Sequence, residues 1–300
     1  MSTPTLTSLD GIIMVPATPF TADNRVDPAS LRRYVRAALQ HGAAGFLAPA
    51  NAGEVESLAP DERELVVTTM LDEIGGRVPL IGGATDPDPA ARLRLARRYL
   101  ELGCQGVLVY VPYDNESDYA AAIHAVGALN PGCLMVQDLD RGSTALPVSL
   151  LVRLHREIPC FTWAKVETGD RCRKISAIRD AAGPGLRIGT AGPDLLELLD
   201  RGADAYMPTL YPGIYARVWQ LHRAGQRAAA ADLYRRLVPC LSFAATHQRI
   251  QKHLNKAVLQ AEGIFTTTRH RAANAEPDEV ERRLIGELCR YAQGLAAGLG

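Results

Sequence analysis

The chain has 300 residues, of which 47% are hydrophobic and 22% are charged. These proportions are typical of globular proteins and exclude a disordered chain. Lysine and arginine together number 33, as do the acidic residues, so the net charge is zero. Because the chain has no net positive charge, it is not expected to bind nucleic acid or an anionic membrane.

The six cysteines lie far apart, with no CxxC pair and no Cys/His spacing typical of a metal site. We find no signal sequence and no apolar run of the roughly 18 residues that a membrane span requires. We therefore expect a soluble cytoplasmic protein with reduced thiols and no metal. No Walker A loop or dinucleotide fingerprint is present, so no cofactor is predicted.

Short apolar runs alternate along the chain with amphipathic stretches of about ten to fifteen residues, which is typical of repeated βα units. The apolar runs predict strands at Ile12–Val15, Gly45–Ala48, Pro79–Gly82, Val107–Val111, Cys133–Val136, Phe161–Val166, Leu186–Ile188 and Ala205–Met207. The stretches between them predict helices from Pro28 to Gly42, Pro60 to Ile74, Pro89 to Leu102 and Tyr119 to Leu129, and helices that begin near Pro147, Arg171, Pro193 and Tyr211.

Eight strands that each precede a helix predict a TIM (β/α)8 barrel over residues 1–226. A doubly wound sheet would show fewer strands and a glycine-rich first turn, which is not found. Residues 227–300 carry no strand pattern. Helical spacing there predicts a C-terminal helical appendage at Ala228–Ala245, Arg249–Glu262 and Asp278–Leu295.

The most informative residue is Lys165, because it is the only lysine within an apolar strand. Burial disfavours the ammonium form, which leaves a nucleophilic amine suited to forming a Schiff base with a carbonyl substrate. The alternative is a lysine at the strand end that reaches solvent or pairs with Glu167. The other lysines, Lys174, Lys252 and Lys256, lie in polar helical contexts and are expected at the surface.

Polar residues follow several other strands, where a barrel places its active site. The turn Asn51-Ala52-Gly53 offers backbone N–H groups and an amide that can bind a carboxylate, although a purely structural turn is the alternative. We also select four further side chains as candidates, each of which can instead be an ordinary packing or loop residue: Tyr113, Gln137, Asp138 and Thr190.

Several short motifs occur in the order found in one family. They are Pro16–Phe20, Ala52-Gly53-Glu54, Val111-Pro112-Tyr113 and Lys165-Val166-Glu167. Together they resemble the dihydrodipicolinate synthase / N-acetylneuraminate lyase family over essentially the whole chain. The resemblance implies a homo-oligomer, a tetramer or a dimer, in which Lys165 forms a Schiff base with pyruvate or another 2-oxo acid.

The chain departs from the family pattern in two motifs, at three positions. Asn51 and Ala52 replace two hydroxyl residues, and Gln137 replaces a catalytic tyrosine. A glutamine cannot exchange protons near neutral pH, so the proton is expected to move through Asp138, Tyr113, a water molecule or the substrate's carboxylate. The motifs Met135–Asp138 and Lys165–Thr168 and the pair Ala50-Asn51 are most similar to the L-2-keto-3-deoxyarabonate dehydratase branch.

These features favour a Schiff-base lyase that dehydrates a 2-keto-3-deoxy sugar acid. A pyruvate-dependent aldolase that cleaves or forms a 4-hydroxy-2-oxo acid is the first alternative, because both reactions begin with the same iminium. A barrel that binds a 2-oxo acid without turnover is the second.

Overall fold

The computed structural model describes residue 6 and residues 9–140, 145–247, 249–271 and 275–298. Its eight parallel strands form a closed barrel in chain order, and the last strand pairs with the first. The strands are β1 (Gly11–Met14), β2 (Gly45–Ala48), β3 (Leu80–Gly83), β4 (Gly106–Tyr110), β5 (Leu134–Leu139), β6 (Phe161–Glu167), β7 (Arg187–Thr190) and β8 (Ala205–Tyr206). The predicted TIM barrel is confirmed.

A helix follows each strand along the chain, and further helices follow the barrel sequence. They are α1 (Pro28–Gln40), α2 (Pro60–Ile74), α3 (Pro89–Leu102), α4 (Glu116–Gly127), α5 (Val148–Glu157), α6 (Arg171–Ala182), α7 (Leu195–Asp200), α8 (Pro212–Arg223), α9 (Arg227–Arg235), α10 (Val238–Thr246), α11 (Gln251–Ala261) and α12 (Glu279–Ala297).

Local sequence explains where several of these helices begin. Asp27 accepts a hydrogen bond from the Ser30 N–H, and Pro28 occupies the first helical position, where no backbone donor is needed. Asp88 caps α3 in the same way before Pro89. An aspartate followed by a proline therefore determines where α1 and α3 begin.

One predicted helix is wrong in its extent, because the stretch from Ala228 to Ala245 forms two helices, α9 and α10. Pro239 lies in the first turn of α10 and has no N–H to continue a helix that started at Arg227. Proline is tolerated in a first turn, so the chain ends one helix and begins the next.

The chain divides into two compact units. The first contains Gly45–Ala48, Gly76–Met207 and the chain up to Ile13, and therefore the barrel strands, apart from Met14 at the end of β1, with α3 to α7. The second contains Met14–Ala44, Pro49–Gly75 and Pro208–Gly300, with the remaining helices. The boundary between residues 226 and 227 stays a prediction.

The strands of the first unit are almost entirely buried. Trp163 on β6 is fully buried, and its indole N–H donates to the Leu6 carbonyl at 2.9 Å. All six cysteines belong to the described residues, and none forms a disulfide. Among the described helices, none combines the length and apolar character needed to cross a membrane.

Candidate active site

Lys165 lies in the middle of the closed barrel's sixth strand. It pairs in register with Gln137 on β5 and Gly189 on β7, and only 8% of its side chain is exposed. Its Nζ lies 3.0 Å from Oε2 of Glu167. Lys165 is therefore buried, as the Schiff-base interpretation expects, and it is also paired with Glu167, as the alternative expects.

A second contact joins Gln137 to the same carboxylate. The Gln137 side-chain N–H donates to Oε2 of Glu167 at 2.6 Å. Residues 165 and 167 are two apart on one strand, so they share a face, and Gln137 is the register partner of Lys165 on the next strand. Lys165, Glu167 and Gln137 thus form one connected polar group, which we name the Lys165 triad.

Glu167 was not among the candidate site residues selected from the sequence. From the sequence, this glutamate was considered only as a pairing partner of Lys165, and proton transfer was assigned to other groups. The signal that identifies it is the spacing of two in a strand, which places a carboxylate beside the amine. At 20% exposure, its side chain is mostly shielded from water.

Asp138 lies on the opposite face of β5 from Gln137, because successive side chains of a strand alternate. Its Oδ1 accepts the Leu146 N–H at 3.0 Å, and its Oδ2 lies 2.5 Å from Nζ of Lys174 on α6. The same ammonium donates to the Leu146 carbonyl at 2.5 Å. Asp138 therefore links Leu146, which follows β5, to Lys174 on α6.

Thr190 and Tyr113 also make contacts within the first unit. The Thr190 hydroxyl, which is fully buried, donates to the Val166 carbonyl at 2.7 Å. Tyr113 is half-buried and packs edge-on against Tyr119, with ring centroids 5.6 Å apart. Roles for Thr190, Tyr113 and Asp138 in substrate binding stay predictions.

The Asn51-Ala52-Gly53 turn belongs to the second unit and forms a short 3-10 helix. The Gly53 N–H donates within the turn to Ala50, whereas the N–H groups of Asn51 and Ala52 make no hydrogen bond to another described residue. A Cβ at Gly53 would lie 2.9 Å from Oγ1 of Thr18, so only glycine fits there. The turn thus presents two backbone donors and the Asn51 amide.

The prediction that Lys174, Lys252 and Lys256 lie at the surface is wrong for two of them. The side chain of Lys174 is 10% exposed and that of Lys256 is 1% exposed. Each is paired with a carboxylate distant in sequence, Asp138 and Glu54 respectively. A polar helical context did not reveal these partners.

Among the described residues, no group of three or more His, Cys, Asp or Glu side chains is placed to hold a metal ion. The Lys165 triad brings a lysine amine beside a carboxylate, a pair that can form an iminium and move protons.

Comparison with known proteins identifies a family for the chain. The model of the dihydrodipicolinate synthetase family matches residues 8–285. The chain belongs to this family. It is accordingly a Schiff-base-forming lyase that acts on a small molecule.

Two relatives and one solved structure illustrate the similarity. The 4-hydroxy-tetrahydrodipicolinate synthase of Salinibacter ruber is 25% identical over 240 residues, which covers 77% of this chain and 79% of that protein. The L-2-keto-3-deoxyarabonate dehydratase of Azospirillum brasilense is 25% identical over 305 residues, covering 94% and 96%. Dihydrodipicolinate synthase from Rhodopseudomonas palustris has the same fold, with a TM-score of 0.88 at 22% identity over 97% of this chain and 100% of that chain.

Proposed function

We propose that this lyase removes water from a 2-keto-3-deoxy sugar acid through a Schiff base on Lys165. The observation that carries the proposal is the position of Glu167, whose Oε2 is 3.0 Å from the Lys165 amine and 2.6 Å from the Gln137 amide. Similarity to a dehydratase over 94% of the chain supports dehydration as the reaction.

The first step forms the iminium. Glu167 accepts a proton from the Lys165 ammonium, and the neutral amine adds to the C2 carbonyl of the substrate. The C2 oxygen then leaves as water after it receives that proton back and a second proton from the added nitrogen, which becomes the protonated imine. The resulting iminium withdraws electrons from C3, which makes a proton at C3 acidic.

The second step breaks the C3–H and C4–O bonds. The Glu167 carboxylate takes the C3 proton to give an enamine, and it returns this proton to the C4 hydroxyl as that oxygen leaves. The departing group is therefore water. A further water molecule hydrolyses the conjugated iminium, which frees Lys165 and releases the dehydrated 2-oxo acid.

The reaction is tested by incubating the enzyme with a 2-keto-3-deoxypentonate and measuring the masses of the products by mass spectrometry. The proposal expects a 2-oxo acid that has lost one water. Free pyruvate together with an aldehyde would instead show cleavage of the C3–C4 bond, as an aldolase performs, and would contradict dehydration. If the wild-type protein forms no product, the result would favour a barrel that binds a 2-oxo acid without turnover.

Gln137 has the role of orienting Glu167 in this mechanism. Replacing it with alanine removes one charge-assisted hydrogen bond to the carboxylate, so we expect single-turnover dehydration to slow by about 10- to 100-fold. Iminium formation, measured by borohydride trapping with pyruvate, should fall much less. Equal losses in both assays would show that Gln137 only supports Lys165 structurally.

The substrate's carboxylate needs donors, and the Asn51-Ala52-Gly53 turn is our candidate because two of its N–H groups are unused by the described residues. In Asn51→Ala the amide contact is lost, and KM should rise by an amount that corresponds to about 1.5 to 3 kcal/mol. Steady-state kinetics measure this. Unchanged KM and kcat would place the carboxylate elsewhere.

A homo-oligomeric state and a cytoplasmic location stay predictions. The same holds for the absence of nucleic acid and membrane partners.

A further inference from the structure

Glu54 follows the Asn51-Ala52-Gly53 turn directly and has an unusual backbone conformation. Its φ of 56° and ψ of 37° lie in the left-handed region, which a side chain as long as glutamate rarely adopts. Its side chain is fully buried. A strained residue of this kind persists only where its surroundings hold it in place.

Three groups from the C-terminal part of the chain surround the Glu54 carboxylate. Lys256 on α11 places its Nζ 2.6 Å from Oε1, and Nδ1 of His270 lies 3.3 Å from the same oxygen. The Arg271 backbone N–H donates to Oε2 at 2.9 Å. We call Glu54, Lys256, His270 and this N–H the Glu54 cluster.

Lys256 is itself fixed by further contacts. Its ammonium donates to the Arg269 carbonyl at 2.6 Å and lies 4.4 Å from the centre of the Phe20 ring. Burial lowers the pKa of Lys256 to about 8, and the charge of Glu54 limits that fall. Burial also lowers the pKa of His270. At neutral pH, Lys256 therefore supplies the positive charge that faces Glu54.

The turn is held on its other side as well. The Thr18 hydroxyl donates to the Gly53 carbonyl at 2.6 Å, and a Cβ at Gly53 would come within 3.0 Å of the Pro16 carbonyl oxygen. Gly53 is thus packed against the segment after β1, while Glu54 is held by α11. The C-terminal end of the turn is therefore held from two sides, which restricts the directions of the preceding Asn51 and Ala52 N–H groups.

We propose that the Glu54 cluster positions the Asn51-Ala52-Gly53 turn for the substrate's carboxylate, so that α11 and the segment 269–271 take part in substrate recognition. The inference rests on the proposed function, because it assumes that this turn binds the carboxylate. It differs from a purely stabilising ion pair in one respect: disrupting the cluster weakens binding of carbonyl compounds that carry a carboxylate, and spares those that do not.

The experiment uses two probes of the Lys165 amine, pyruvate and hydroxyacetone, of which only pyruvate has a carboxylate. Each is titrated against borohydride trapping, and the concentration at half-saturation is measured. The main variant is Lys256→Met with Glu54→Gln, because removing both charges avoids leaving one of them buried and unpaired. We expect its half-saturating pyruvate concentration to rise about tenfold, with hydroxyacetone changed far less.

The control removes a more exposed ion pair of the same unit, that of Arg36 and Glu73, whose Nε and Oε1 are 2.8 Å apart on α1 and α2. Arg36→Met with Glu73→Gln should leave both titrations unchanged. If the main variant shows equal changes for both probes, or no change, the inference is wrong. Should that variant fail to fold, His270→Ala replaces it. We then expect a smaller rise in the half-saturating concentration of pyruvate and none for hydroxyacetone. If the concentration for pyruvate does not rise selectively, the inference is again wrong.

The Asn51→Ala variant distinguishes a failure of this inference from a failure of the proposed carboxylate site. If Asn51→Ala weakens pyruvate selectively and the cluster variant does not, the carboxylate site stands and only the role of the Glu54 cluster falls. If Asn51→Ala shows no selectivity, the carboxylate site itself is misplaced, and the inference falls with it.

Discussion

Replacing Lys165 with arginine should abolish iminium formation and reduce turnover by on the order of 10⁴-fold or more. Arginine keeps a positive charge beside Glu167, but its guanidinium cannot form the Schiff base. The measurement is borohydride reduction in the presence of pyruvate, followed by the mass of the intact protein. Wild type should gain one reduced pyruvate adduct, and Lys165→Arg should gain none.

Lys174 provides a matched control for this variant. It is also a buried lysine of the first unit paired with a carboxylate, at 10% exposure against 8% for Lys165. Because it faces Asp138 and not the Lys165 triad, Lys174→Arg should still be trapped at Lys165. An adduct that survives Lys165→Arg and disappears in Lys174→Arg would move the nucleophile to the other lysine.

The second large effect is expected at Glu167. Glu167→Gln keeps the size of the side chain but cannot accept a proton, so kcat should fall by about 10²- to 10⁴-fold, the usual contribution of a general acid or base. Trapping of pyruvate should become slower but should still go to completion, because water can also take the Lys165 proton, whereas the elimination relies on Glu167. Single-turnover dehydration and borohydride trapping are compared on the same preparation.

Asp138→Asn is the control for Glu167→Gln, since Asp138 is the other carboxylate beside a lysine in this part of the barrel. Its carboxylate contacts Lys174 and the Leu146 backbone on the opposite face of β5. We expect Asp138→Asn to lower the melting temperature more than the rate of dehydration. A loss of chemistry in Asp138→Asn that matches the loss in Glu167→Gln would return the proton-transfer role to Asp138.

Much of the fold follows from local features of the sequence. Apolar runs identify the eight strands, and Asp27-Pro28 and Asp88-Pro89 mark helix starts to the residue. The break at Pro239 was also present in the sequence, but the apolar pattern on both sides of it favoured one continuous helix. Such features act within a few residues, and they can therefore be identified without the fold.

The candidate site could be predicted from the sequence only where one residue was informative without its neighbours in the fold. Lys165 stood out because an apolar strand is an unfavourable place for a lysine. The burial of Lys256 depends on Glu54, 202 residues away, and no local pattern reports such a pair. Glu167 was visible next to Lys165, but its shared contact with Gln137 depends on the register of two neighbouring strands.

Deuterium exchange into pyruvate tests the central claim most directly, because it requires both the iminium on Lys165 and removal of a C3 proton by Glu167. The enzyme is incubated with pyruvate in deuterated water, and loss of the methyl proton signal is followed by NMR. The mechanism predicts exchange with wild type, none with Lys165→Arg, and a large loss with Glu167→Gln although that variant is still trapped by borohydride. Exchange at the wild-type rate in Glu167→Gln would contradict it.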